Sequence, residues 1–85
     1  MPLFELTSLA LKKFQKLAPD IQLRIKNKTV SIKDHPDFFV LLESLKNFTP
    51  ATHRLRIGNY RLILQYMGND QFLVLDLGHR RDIYR

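Results

Sequence analysis

Cysteine is absent from the 85-residue sequence. That excludes a disulfide framework and a thiolate zinc site, and it suits a reducing cytoplasm. Long hydrophobic runs are missing too. Apolar stretches stop after a handful of residues, as in Phe72-Leu73-Val74-Leu75, far short of the roughly 20 needed to span a bilayer. Met1-Pro2-Leu3 leads directly into patterned sequence, without the basic and apolar regions of a signal peptide, so none is expected. No repeat, low-complexity tract or linker interrupts the chain, and the length accommodates one domain spanning 1–85. So small a domain hides only about two-thirds of its unfolded surface, and marginal stability is expected. What is present is otherwise ordinary for a globular protein, with 45% hydrophobic and 26% charged residues.

The charge balance stands out. Fourteen Lys and Arg face eight Asp and Glu, a formal net charge of +6. For a small domain this points to an anionic partner, of which phosphate backbone is the commonest. The basic residues are also segregated. Every lysine lies between Lys12 and Lys46, whereas the chain after residue 50 carries Arg54, Arg56, Arg61, Arg80, Arg81 and Arg85, opposed by Asp70, Asp76 and Asp82. A guanidinium fork matches phosphate bidentately and stacks on bases, while an ammonium is a hydrated point charge. The N-terminal half therefore reads as a scaffold and the C-terminal half as a site.

Periodicity predicts an α+β domain. Leu3–Leu6 reads as a strand, and Thr7 or Ser8 caps a helix whose stripe is Ala10, Phe14, Leu17 and Ala18. Pro19 ends it and opens a second helix, with Asp20 at its positive end and Ile21, Ile25, Thr29 and Ile32 as its stripe. Leu23 and Val30 fall off that stripe and are read as contacts with the first helix rather than an exposed ridge for a partner. After His35-Pro36-Asp37, residues 38–51 read as a helical turn and a loop that must bury Phe38, Phe39, Leu41, Leu42 and Leu45. Three antiparallel strands follow: Thr52–Ile57, Tyr60–Tyr66 and Gln71–Leu77, joined at Gly58-Asn59 and at Gly68-Asn69-Asp70. The helix pair would cover one face of the sheet.

Side chains alternate across a strand, so parity assigns faces. Tyr60, Leu62, Leu64 and Tyr66 take the core face, as do Leu55 and Ile57. In the last strand the alternation sends Leu73, Leu75 and Leu77 inward, and Phe72, Val74, Asp76 and, if it continues, Arg80 outward. Arg54, Arg56, Arg61 and Arg80 then share a helix-free face, with Asp76 as the available carboxylate. A surface meant only for solvent would more often mix in Thr, Lys and Glu. Strict parity turns His79 inward, and a bulge at Gly78 would move it onto the arginine face; both remain open. His35 and His53 read as loop and strand-surface residues. The three histidines show no metal-ligand spacing, and no metal or other cofactor is expected.

Arg54-Leu55-Arg56-Ile57-Gly58-Asn59-Tyr60-Arg61-Leu62-Ile63, Leu45-Lys46 and Gly78-His79-Arg80-Arg81-Asp82-Ile83-Tyr84, in this order of elements, resemble the RelE/ParE superfamily of type II toxin–antitoxin toxins, in particular its RelE-type side. The resemblance covers essentially the whole chain. The Gly-x-Tyr-Arg segment is shared across the superfamily, and the Gly-His-Arg-x-x-x-Tyr ending is closer to RelE-type members.

The resemblance implies a cytoplasmic, ribosome-dependent endoribonuclease that cleaves messenger RNA by 2′-hydroxyl attack on the adjacent phosphate and is held inactive by a cognate antitoxin. It carries catalytic roles over to Arg61, Arg80 and Tyr84, and substrate-binding roles to Arg54, Arg56 and Arg81. Several members have lysines where this chain has Arg54 and Arg56. Arginine does not accept a proton, so these two should position substrate and stabilise charge. His79 is then the candidate general base, and Tyr84 would stack on a base or orient the ribose. Members with a C-terminal helix lodge it near the site, which a chain ending at Arg85 cannot do. The alternative is a ParE-type toxin that inhibits DNA gyrase without nuclease chemistry.

Overall fold

A computed structural model describes residues 2–83 of the chain; Met1, Tyr84 and Arg85 lie outside the described residues. Strand β1 (Leu3–Leu6) is followed by helices α1 (Ser8–Gln15) and α2 (Pro19–Lys33) and a 3₁₀ turn (Phe38–Leu41). Strands β2 (Glu43–Ser44), β3 (His53–Ile57), β4 (Tyr60–Gly68) and β5 (Gln71–His79) come next, and a short helix α3 (Arg80–Ile83) ends the described chain. The strands form one sheet in the order β1-β5-β4-β3-β2. β1 runs parallel to β5, and the other neighbours are antiparallel. The fold is α+β with a single mixed sheet.

Local chemistry sets the element boundaries. Thr7 caps α1, its hydroxyl accepting from the Ala10 N–H at 3.1 Å while donating to the Leu75 carbonyl of β5, also at 3.1 Å. One side chain thus satisfies an orphan helix donor and fixes the helix to the sheet. α1 stops at Gln15, which leaves Ala18 outside the helix and exposed. Pro19 opens α2, where a missing N–H costs nothing. Gly58 takes φ 58° at the β3–β4 turn, a left-handed conformation at the first of two turn residues that favours glycine. Asn69 and Asp70 both adopt positive φ at the β4–β5 turn, the pattern of a type I′ hairpin.

The core lies between the helices and one sheet face. Ala10, Ile25 and Ile32 pack there with Leu55, Ile57, Leu62, Leu64 and Leu77. Two further members, Phe72 and Val74, are each 1% exposed, against the outward placement that parity predicts. The cause is a β-bulge. Ile63 pairs with Asp76, but Leu64 pairs with Val74, so Leu75 is an extra residue in β5. The slip reverses the faces of every β5 residue before it. Phe72 consequently joins an aromatic cluster with Phe4, Phe38, Phe39, His53 and Tyr66, at centroid distances of 5.0–5.9 Å. Burial there pushes the His53 imidazole below its ordinary pKa.

Two other expectations are corrected. Of the apolar residues in 38–45, Phe38 and Leu42 are buried and Leu45 is half-buried, while Phe39 and Leu41 stay at the surface. Leu23 and Val30 are 58% and 55% exposed, so α1 does not cover them and they form an apolar ridge on α2.

Candidate nucleic-acid interface

The helix-free face is built by the β3–β4 register. Arg54 pairs with Ile63 and Arg56 with Arg61, so Arg54, Arg56, Arg61 and Ile63 project to one side, away from Leu55, Ile57, Leu62 and Leu64. Arg61 also pairs with Gly78 of β5. Two residues later Arg80 begins α3, and its N–H donates to the Asn59 carbonyl at 2.7 Å. The start of α3 is therefore fastened to the β3–β4 turn, at the same end of the sheet as Arg61. Ile83 folds back beside Gly78, where its Cδ1 would lie 3.8 Å from an added Cβ. Arg56, Arg80 and Arg81 are exposed.

The arginines are not equivalent. Arg61 is only 4% exposed. Its Nη1 donates to the carbonyls of Gly58 and Tyr60, each at 2.8 Å, and its Nε is buried without a hydrogen-bond partner among the described residues. This guanidinium braces the hairpin turn from below. Arg54 forms an ion pair with Glu43 across β2 and β3. Glu43 escapes sequence reasoning because a two-residue strand has no periodicity to read. Asp76, expected to serve the arginines, instead accepts from Lys13 Nζ of α1 at 2.7 Å. Of the three arginines the sheet places on this face, Arg56 is thus the exposed one, while Arg80 and Arg81 are exposed on α3 at its edge.

His79 is not brought together with them. It pairs with Tyr60, whose ring it meets at 5.5 Å, and lines a shallow hollow on the helix side with Lys13, Lys16 and Leu17. The register holds through Gly78, and the bulge lies upstream between Val74 and Asp76, so nothing turns the imidazole towards the arginines. Its Nδ1 accepts the Arg81 N–H at 3.2 Å, which places the proton of the neutral ring on Nε2. Tyr84, the remaining expected site residue, lies outside the described residues. Among those described, no three His, Cys, Asp or Glu side chains group as metal ligands, and no helix is long and apolar enough to cross a membrane.

Residues 4–84 match a protein family described as the ParE toxin of the type II toxin–antitoxin system, parDE. The fold is similar to solved structures of related systems. In the RelBE2 toxin–antitoxin complex of Mycobacterium tuberculosis, the similar chain superposes with a TM-score of 0.72 at 22% identity, over 91% of this chain and 95% of that one. The RelB–RelE complex of Methanococcus jannaschii gives 0.71 at 22% identity, with 93% of each chain covered. The isolated RelE toxin of Escherichia coli gives 0.71 at 21% identity, covering 93% and 84%. No curated protein sequence matches the chain.

Proposed function

The chain belongs to the ParE toxin family of type II toxin–antitoxin systems, and from its basic face we propose that it is a ribosome-dependent endoribonuclease acting on messenger RNA in the cytoplasm. The observation that carries the reading is the convergence of Arg54, Arg56 and Arg61 on one uncovered sheet face with α3, bearing Arg80 and Arg81, fastened at its edge.

In the proposed reaction the ribose 2′-oxygen bonds to the adjacent phosphorus while the bond to the 5′-oxygen breaks. A 2′,3′-cyclic phosphate remains on one fragment and a 5′-hydroxyl on the other. The 2′-hydroxyl proton is given up to solvent, and the departing 5′-oxygen takes one from it. Arg56, Arg80 and Arg81 neutralise charge that grows on the non-bridging phosphate oxygens. Arg54, fixed by Glu43, aligns the backbone. Arg61 is a positioning residue, because the turn it braces also receives the N–H of Arg80. In-line attack depends on alignment, and so shallow a face requires the ribosome to hold the RNA.

The cognate antitoxin is assigned to the opposite side. There Leu6, Leu11, Phe14 and Ile25 line an apolar groove of ≈ 210 Å³ edged by Lys26 and Lys33, and α2, which forms one of its walls, also carries the exposed Leu23 and Val30. An amphipathic helix with acidic flanks fits such a groove.

The match to the ParE toxin family favours a second reading, the ParE-type toxin that the sequence resemblance implies would inhibit DNA gyrase without nuclease chemistry. Primer extension on messenger RNA after induction separates the two. New 5′ ends at A-site codons are expected; intact messenger with blocked DNA supercoiling would overturn the nuclease reading in favour of gyrase.

A further inference from the structure

Beside the arginines, the helix-free face contains a hollow of ≈ 340 Å³ whose lining is mostly apolar. Phe48 comes from the β2–β3 loop, Ile63 from β4, Leu75 from β5 and Ile83 from α3, with Arg54 and Asp76 at the margin. Two features of the fold create it. The β5 bulge brings both Leu75 and Asp76 to its lining, where regular alternation would admit only one of them. The loop after β2 doubles back, with the Ala51 N–H on the Phe48 carbonyl at 2.8 Å and the Leu45 N–H on the Thr52 carbonyl at 2.9 Å. It presents the Phe48 ring at the rim, 62% exposed. Nothing in the core requires that ring at the surface, and an exposed aromatic beside a basic groove is the arrangement that binds single-stranded nucleic acid.

We propose that this hollow receives one nucleobase of the RNA strand, stacked on Phe48, while the flanking phosphates lie on Arg54 and Arg56. The assignment rests on the nuclease reading above and adds to it a base-binding subsite. Size and charge choose the occupant. The volume falls at the small end of the roughly 300–1,000 Å³ of small-molecule sites, enough for a single base. Arg56 lies two residues along β3 from Arg54, about 7 Å away, within reach of a phosphate on the same nucleotide. Asp76 at the lining is held by Lys13, which leaves exposed Arg56 as the charge beside the hollow, and a cation next to an exposed aromatic ring suits a strand that carries both phosphate and base.

The test measures binding of the full-length chain to labelled hexa-adenylate and to a hexameric ribose-phosphate strand without bases, both at low salt. Phe48→Ala should weaken hexa-adenylate binding about tenfold, as expected for loss of one base–aromatic stack, and leave the abasic strand unaffected. Phe48→Trp should restore the affinity. Arg56→Ala should weaken both strands alike. Equal affinities of Phe48→Ala and wild type for hexa-adenylate, with the Arg56 effect intact, would overturn the subsite and spare the nuclease reading. Failure of wild type to bind either strand would overturn the subsite, while the nuclease reading, which relies on the ribosome to hold the RNA, stands or falls by primer extension. Loss of antitoxin binding in Phe48→Ala with RNA binding unchanged would assign the hollow to the antitoxin and overturn the proposal.

Discussion

Arg56 and Arg61 are direct cross-strand partners with opposite circumstances. Arg56 is exposed, whereas Arg61 is 4% exposed and spends two hydrogen bonds on turn carbonyls. Arg56→Ala should therefore change stability by less than about 0.5 kcal/mol and act on RNA binding alone. Arg61→Ala removes two charge-assisted bonds and should cost about 2 kcal/mol or more. Arg61→Lys should rescue little of it, because an ammonium cannot reproduce the forked geometry. Thermal denaturation of the three variants checks this; an unchanged midpoint in Arg61→Ala would return Arg61 to a purely substrate-facing role. At this scale the sequence was only half legible. Parity placed Arg54, Arg56 and Arg61 on one face correctly, but side-chain partners depend on elements distant in sequence. Lys13 reaches Asp76 across 63 positions, and Glu43 reaches Arg54 from a strand too short to announce itself.

At the scale of elements, turns and caps carry the site. The Gly58 turn supplies the carbonyls that hold Arg61, and its Asn59 carbonyl anchors α3. Gly58 has room for a methyl group, since among the described residues only the Arg24 guanidinium, at 3.5 Å, comes within 4 Å of an added Cβ. The penalty for Gly58→Ala is conformational, roughly 1–2 kcal/mol for a left-handed residue. A drop in melting temperature of about 4–8 °C per kcal/mol is expected in a domain of this size. Messenger cleavage should fall further than the stability loss explains, because Arg61 and Arg80 share this turn. Wild-type cleavage in folded Gly58→Ala would dissociate the turn from the site. Both hairpin turns were readable from local chemistry. The β5 bulge was not, since an extra residue in an apolar run leaves the composition unchanged and alters only the pairing.

For the whole molecule, the two sides divide the labour: helices and apolar ridge on one, arginines and base-sized hollow on the other. The aromatic cluster at the far end of the core adds a pH dependence. Burial lowers the His53 pKa below its ordinary 6.5, so the unfolded chain binds a proton more readily than the folded one. The contribution of the neutral imidazole is fully present above about pH 6.5 and declines as pH falls towards the lowered folded value. Melting temperature should therefore drop between pH 7.5 and 5.5, and His53→Gln should flatten that slope. An identical slope in the variant would assign the dependence to other groups.

The sequence alone determined the α+β class, the start of both long helices, the hairpin turns, and the gathering of three arginines on one face, because each follows from local periodicity, capping and turn chemistry or strand parity. Only the tertiary structure decided that β1 lies parallel to β5, that Phe72 and Val74 are core, that His79 points to the helices, and that Phe48 and Ile83 enclose a hollow. Those outcomes depend on register and on contacts between distant segments, where a shift of one residue exchanges the two faces of a strand without changing a letter of the sequence.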